Sequence, residues 1–493
     1  MSESRSWYSN PRLWLVAIVL FAALVRFPNI AWDQNHFFHP DERAVAYAVQ
    51  RIDFPHLKLD PDFFAYGSLP IYLAKISSDV VSLVDRNATS YDGVIVNGRR
   101  LSALMGTLTV LLLILLGTRL YGQTVGLLAG FLLAAAVLHV QNSRFLTVDV
   151  PLTLFVLLGL SQLVRVCDEG KARHFLMAGI CIGLAVANKF SAMPLFLPLG
   201  IAALHRYFVE RRFISVSGKV LLAVVAAALA FALAEPYAIL RFDRFYHDIV
   251  EQSGMVRNAG QFPYTTQYMY TPKYVYDLTQ LILWGMAPLL GVVAVWATAT
   301  RIGVAWRSRR ATEWVLLSWV IPFFLVTGWF EVKFPRYLLP IYPLMALWAA
   351  DWLVQRYRRG TLFGRMALPA VVLGTLAATF AFVSTYTRPH TIVTASEWFY
   401  QHIPPGSHVL TQDWDEGFPF VLPGYNPSRY QVKTFGYYED DTSNKIQKLS
   451  QELASSDYIV FQTKRLYGAV TRAETRDPKQ PGRRAYPLTS RYF

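Results

Sequence analysis

The chain has 493 residues, 54% hydrophobic, 15% aromatic and only 16% charged. Several stretches reach the roughly 20 apolar residues that cross a bilayer, which argues for a polytopic membrane protein and against one large soluble core. The net charge of +14 falls mostly in short loops between those stretches, so topology explains it and no nucleic-acid partner is expected.

Hydrophobic spans are predicted near residues 13–30, 97–118, 122–140, 149–166, 175–188, 190–207, 219–238, 276–300, 313–330, 336–355 and 366–386. The first lacks a small-residue cleavage site and reads as a retained helix. Ser68–Val84 carries Lys75, Asp79 and paired serines, and reads as an amphipathic helix on the membrane surface. Charge counting tests that choice. With the N-terminus in the cytoplasm and Ser68–Val84 left out, the cytoplasmic loops collect Arg119, the Arg165–Arg173 and Arg206–Arg212 groups, the Arg301–Arg310 group and the Arg356–Arg365 group. That is the positive-inside pattern, and counting Ser68–Val84 as a span would invert it. Eleven transmembrane helices follow, with the C-terminus outside and a cytoplasmic (inner) membrane as the expected location.

Three segments then face the exterior. Residues 31–97 carry an acidic pair and a surface helix over 41–52, and residues 239–275 are rich in Tyr, Gln and Thr. A tail, 388–493, follows the transmembrane part, 1–387. In the tail, 395–402 and 443–454 read as helices, 408–412, 430–434 and 457–461 as strands, and 477–484 as loop. Alternation of this kind suggests a small α/β domain. Cys167 and Cys181 suggest neither a disulfide nor a zinc site, and the glycines form no phosphate-binding fingerprint.

The chemistry-bearing residues sit at the predicted outer ends of the spans. In His39-Pro40-Asp41-Glu42 two carboxylates stand at the mouth of a transmembrane helix, which is costly unless they meet water or a ligand. Neighbouring helical residues point about 100° apart, so the two need not act as one dyad. One suits removal of a proton from a hydroxyl nucleophile, the other positioning of a substrate or a metal. The plainer reading is a first turn whose acids favour the helix dipole. A lone His39 without a partner motif is more often structural than a ligand.

Arg144, Lys189, Lys333 and Arg336, the last beside Tyr337, are lone cations on the face where positive charge is depleted. An anionic ligand accounts for them, and Arg suits bidentate phosphate binding. The alternative is pairing with lipid headgroups or with Asp149, Glu235 and Glu331. Asp149 opens the fourth span as a substrate contact or merely as a cap. Glu235-Pro236-Tyr237 ends the seventh, and with Gln252, Gln261, Tyr264, Gln267 and Tyr268 offers either a sugar-binding surface or an interfacial aromatic belt. Asp413 and Asp415 read as loop acids, with a substrate contact as the alternative.

Taken in order, these segments resemble the GT-C glycosyltransferases. His39-Pro40-Asp41-Glu42 is similar to their acidic motif, and Tyr66-Gly67-Ser68-Leu69-Pro70 to the segment that follows in the same loop. Ser143–Asp149, Gly183–Lys189 and Arg336–Pro343 are similar to later segments, so the resemblance covers most of residues 10–390. It points to the branch of the protein O-mannosyltransferases and the aminoarabinose transferases of lipid A. It implies an α-helical GT-C membrane fold and a transferase that uses a polyprenyl-phosphate-linked sugar. The acceptor hydroxyl would belong to a lipid, polysaccharide or protein on the outer membrane face, and the reaction would invert the anomeric carbon. Asp41 maps to the catalytic carboxylate, with Glu42 beside it. Arg144, Lys189 and Arg336, with Lys333 and Tyr337, map to the donor-phosphate site. His39, Tyr66, Asp149, Glu235, Tyr237, Gln261 and Gln267 are the expected substrate contacts. Some members of this group use a divalent metal. This chain lacks the Glu-Lys pair expected at Tyr66-Gly67, so that requirement stays open.

Two other classes compete. A transporter or flippase of a polyprenyl-linked saccharide predicts key polar groups near the bilayer midplane. A non-catalytic scaffold predicts that Asp41 is dispensable and the tail is not.

Overall fold

The computed structural model describes residues 10–413, 416–472 and 485–493; Asp415 and the predicted loop 477–484 lie outside them. Among the described residues eight helices are long and apolar enough to cross a membrane, and Pro11–Leu24, Gln123–Ala134 and Ala172–Asn188 are shorter apolar helices. Together they coincide with the eleven predicted spans. The surface helices Pro40–Gln50 and Ser68–Ser82 also form where the sequence places them.

Helix ends follow local chemistry. Asn10 caps the first helix through the Arg12 N–H, and Ser90 caps the long helix Tyr91–Tyr121 through the Gly93 N–H. Gly122 and Gly170, at φ 90° and 62°, terminate helices where a side chain would be strained. Three predicted boundaries need correction. The first helix ends at Leu24 and not at residue 30, because Pro28 disfavours helical geometry just before it. The third span breaks after Ala134 and resumes as the short helix Val137–Asn142. The guanidinium of Arg26 fills that break, donating to the carbonyls of Ala22 and Ala134 at 2.9 and 3.1 Å and facing His139 Nδ1 at 2.8 Å. The eighth span starts at Pro288, after a separate helix Val275–Gln280 and a wider turn Leu281–Gly285. Proline has no N–H to donate and clashes with the turn before it, so the helix cannot run through.

The principal core runs through the packed helices from Tyr91 to Ala234 and from Pro288 to Arg358. The tail holds a three-stranded parallel sheet: β1 (His408–Gln412) lies between β2 (Gln431–Phe435) and β3 (Tyr458–Val460). Helix Ser443–Ala454 carries the chain from one edge strand, β2, across to the other, β3. This sheet shares its core with the membrane part. Leu410, Phe435, Tyr437 and Leu466 pack with Ala259, Tyr268, Met269 and Val332. Phe38 stacks on His390 at 4.5 Å and meets Phe420 at 5.1 Å.

Candidate active site

All three predicted external segments converge on one cavity of about 1470 Å³ at one end of the helix bundle. Residues 38–41, Arg43, Ala44 and 63–67 form one side, Leu152, Val186 and 189–191 another, and Phe245, Gln252, Met255, Phe323, Phe334, Arg336 and Tyr337 a third. The tail covers it through His390–Ile392, Glu416, Phe418 and 460–465. An ion pair between Arg43 and Glu416, 2.7 Å, ties the acidic-motif helix to that cover.

The acidic motif opens a helix, with Pro40 at its first position and both acids in its first turn, where proline and carboxylates are both favoured. The backbone leading to it is strained: Asn29, Gln34, Asn35 and Phe37 all have φ between 53° and 63°. A bulky residue such as Phe37 there is an outlier that the surroundings must enforce.

The helix turn sends the two acids apart. Asp41 lines the cavity and pairs with Arg336 at 2.6 Å. Arg336 also faces Asp149 at 3.4 Å, and Asp149 accepts from Lys189 at 2.9 Å. Asp41, Arg336, Asp149 and Lys189 thus form one row of alternating charge. The Lys189 ammonium lies 4.7 Å above the Tyr337 ring. Tyr66 lines the cavity beside Asp41. Burial raises the Asp41 carboxyl, but Arg336, His39, Tyr66 and Lys189 together hold it below its usual value. Burial, with the Asp41 charge, lifts the Tyr66 phenol well above its ordinary range, so it remains a donor. Burial likewise lowers the His39 imidazole despite the pull of Asp41 and Glu42.

Several expected site residues stand elsewhere. Glu42 is fully buried. It pairs with Arg99 at 2.6 and 2.8 Å and accepts the Leu146 N–H at 2.8 Å, away from the cavity lining. Arg144 is also fully buried. It donates to the carbonyls of Pro28 and Val25 at 2.6 and 3.0 Å and lies against the Tyr386 ring, so its donors are committed to the end of the first helix. Lys333 pairs with Asp277 at 2.8 Å and donates to Gly328 at 3.0 Å. Neither cation faces the cavity. Tyr237, Gln261 and Gln267 are not among the described residues that line it; Gln267 donates to the Tyr264 carbonyl. His39, Tyr66, Lys189, Glu235, Arg336 and Tyr337 do line it.

Sequence reasoning missed Arg99, which also pairs with Asp33 at 2.6 Å. An Arg at the start of the second predicted span, after a loop that carries Asp33 and Glu42, was the available signal. It also missed the cover contributed by 460–465, for which sequence gave no sign. His247, Asp248 and Glu251 bring ligand atoms within 4.8 Å of one another. Asp248, however, already accepts the Phe64 N–H at 3.2 Å and faces Arg244 at 3.5 Å, so a tether between loops accounts for it.

Gly67 threads the Tyr66 segment against the end of helix Ala172–Asn188, and its N–H donates to the Asn188 carbonyl at 3.2 Å. A Cβ there would collide with the Ala187 carbonyl. Gly67→Ala is expected to lose about 1–3 kcal/mol of stability, as overpacking does, measured as a lowered melting temperature of the purified protein.

A family model described as dolichyl-phosphate-mannose-protein mannosyltransferase matches residues 92–236. Among curated proteins none matches. Among solved structures, ArnT from Cupriavidus metallidurans bound to undecaprenyl phosphate aligns at TM-score 0.55 and 15% identity, over 92% of this chain and 91% of that one. The fold is GT-C. The oligosaccharyltransferase of Archaeoglobus fulgidus tethered with an acceptor peptide aligns at TM-score 0.56 and 15% identity, over 94% of this chain and 71% of that one. The same archaeal enzyme, AglB, with an inhibitory peptide and a dolichol-phosphate aligns at 0.55 and 14% identity, over 83% of this chain. The chain spans 63% of the length of AglB in that alignment.

Proposed function

We propose that the chain is a membrane glycosyltransferase that moves a sugar from a polyprenyl-phosphate carrier to an acceptor hydroxyl, with Asp41 as the base. The observation that carries this reading is the row Asp41–Arg336–Asp149–Lys189 against a cavity whose wall includes Leu152, Val186, Phe190 and Phe323. Such a wall suits a lipid chain, and cations beside it suit its phosphate. The ArnT and AglB structures named above hold undecaprenyl phosphate and a dolichol-phosphate, respectively.

The acceptor oxygen attacks the anomeric carbon, the bond from that carbon to the phosphate oxygen breaks, and the hydroxyl proton passes to Asp41. A single displacement inverts the carbon. The leaving carrier gains one negative charge, which Arg336 and Lys189 offset. In the unliganded site Arg336 is held by Asp41. A donor phosphate competes for that guanidinium, so donor binding itself loosens the pair and makes Asp41 a stronger base. The outer membrane face, the acceptor class and tail-dependent acceptor choice belong to the same proposal.

The test is turnover of radiolabelled undecaprenyl-phosphate sugars by the protein in nanodiscs, scoring both transfer and slow hydrolysis of the donor. Turnover of one donor supports the reading; binding of donor without turnover, combined with flipping in proteoliposomes, would replace it with a transporter. The pH profile gives a second check. Because Asp41 is held low in the folded protein, kcat/KM is expected to persist below the ordinary carboxylate range and to fall only as pH drops through that lowered value. Arg336→Gln removes the leading stabiliser of the carboxylate and leaves the burial penalty. Its acid limb is therefore expected to lie at higher pH, whatever its absolute rate; an unmoved limb would dissociate Asp41 from the titration.

A further inference from the structure

We infer that Glu235 receives a hydrogen-bond-donating substituent, a hydroxyl or an amine, of the sugar on the donor, and so selects which sugar is transferred. This rests on the donor reading above. Glu235 lines the cavity, is 1% exposed, and its Oε1 has no hydrogen-bond partner among the described residues. A buried carboxyl oxygen left unpaired is costly, and such groups call for an absent water or ligand. Burial pushes the Glu235 carboxyl up to about 8, and in either protonation state an oxygen remains that can accept from a donating substituent.

The position fits a sugar. Glu235 follows directly on the helix Phe213–Ala234, and the Ser68 backbone lies near enough to lower its carboxyl against the larger effect of burial. Two residues before Ser68, Tyr66 lines the same cavity beside Asp41. Asp41, Tyr66 and Glu235 thus face one shared space. The Ser68 hydroxyl is also without a partner, and Leu69, Ala187 and Ala234 pack as an apolar cluster beside the pair. A polar pair at the edge of an apolar cluster discriminates well, because a ligand lacking the matching donor leaves it unpaired.

The experiment compares wild type, E235Q and E235A in nanodiscs. The probes are undecaprenyl phosphate alone and the same carrier bearing mannose, glucose, galactose or 4-amino-4-deoxyarabinose. All three proteins are expected to bind the bare carrier equally. Wild type is expected to bind one sugar-bearing donor more tightly than the rest, and E235A to lose that advantage, roughly ten- to a hundred-fold. E235Q, which keeps an acceptor but no charge, separates the two chemistries: retained preference marks a hydroxyl, lost preference a protonated amine. Equal weakening of bare and sugar-bearing carriers in E235A would mark a purely structural residue and overturn the inference. So would a wild type that gains nothing from any of these sugars. A wild type that does not bind bare undecaprenyl phosphate would instead defeat the donor reading itself, and this inference with it.

Discussion

Asp41→Asn is expected to lower the rate of sugar transfer by roughly 10²- to 10⁴-fold, the range that a positioned base contributes, without lowering stability. Asp41 is partly exposed to the cavity, at 22% of its side chain. The amide keeps its shape and its contact with Tyr66. It loses the charge that holds Arg336 at 2.6 Å, so the guanidinium becomes more available to a donor phosphate. Binding of undecaprenyl phosphate is therefore expected to hold or tighten while turnover collapses. That opposite movement separates the base from a mere phosphate-site residue. Arg336→Gln, by contrast, is expected to weaken carrier binding. Carrier binding and single-turnover transfer, measured side by side, check both. An Asp41→Asn protein that transfers at the wild-type rate would remove the base from the mechanism.

The helical spans were legible because bilayer thickness imposes a length on apolar runs. The spans that shifted are those where a single proline or a buried cation competes with that length rule. Pro28, Pro288 and the Arg26-filled break after Ala134 are the three cases. The site was legible only in part. Sequence can place a charge at a helix end, but not the direction in which its side chain leaves. Arg144 and Lys333 sit at the predicted level and yet turn inward, one to free carbonyls and the other to Asp277. Helix ends carry carbonyls without intrahelical partners, and an Arg capping them looks in sequence like one awaiting a phosphate. The row through Asp149 depended on residues 41, 149, 189 and 336 meeting in space, which no spacing rule specifies.

Glu42→Gln is expected to behave unlike its neighbour: it should cost about 1.5–3 kcal/mol of stability, as weakening hydrogen bonds to a charged group does, and leave the chemistry of the folded fraction intact. Glu42, Asp33 and Arg99 are each fully buried. Arg99 donates to both acids and to the Ile30 carbonyl at 3.0 Å, while Glu42 also holds the Leu146 N–H. This cluster joins the strained loop after the first helix, the acidic-motif helix, the long helix Tyr91–Tyr121 and the segment before Asp149. Two carboxylates share one guanidinium, which leaves the cluster one negative charge in excess, and Arg99 stacks on Trp32 at 5.1 Å. Removing one carboxylate charge loses a bidentate pair inside a low-dielectric site. Arg99→Met should cost still more, because it leaves two buried acids unpaired. The check is thermal unfolding with and without undecaprenyl phosphate, and kcat for the fraction that remains folded. Wild-type stability with a collapsed kcat in Glu42→Gln would mean that Glu42 reaches the reacting atoms and that both acids of the motif take part in the chemistry. A lowered melting temperature with kcat preserved would confine catalysis to Asp41 and assign Glu42 to holding it there.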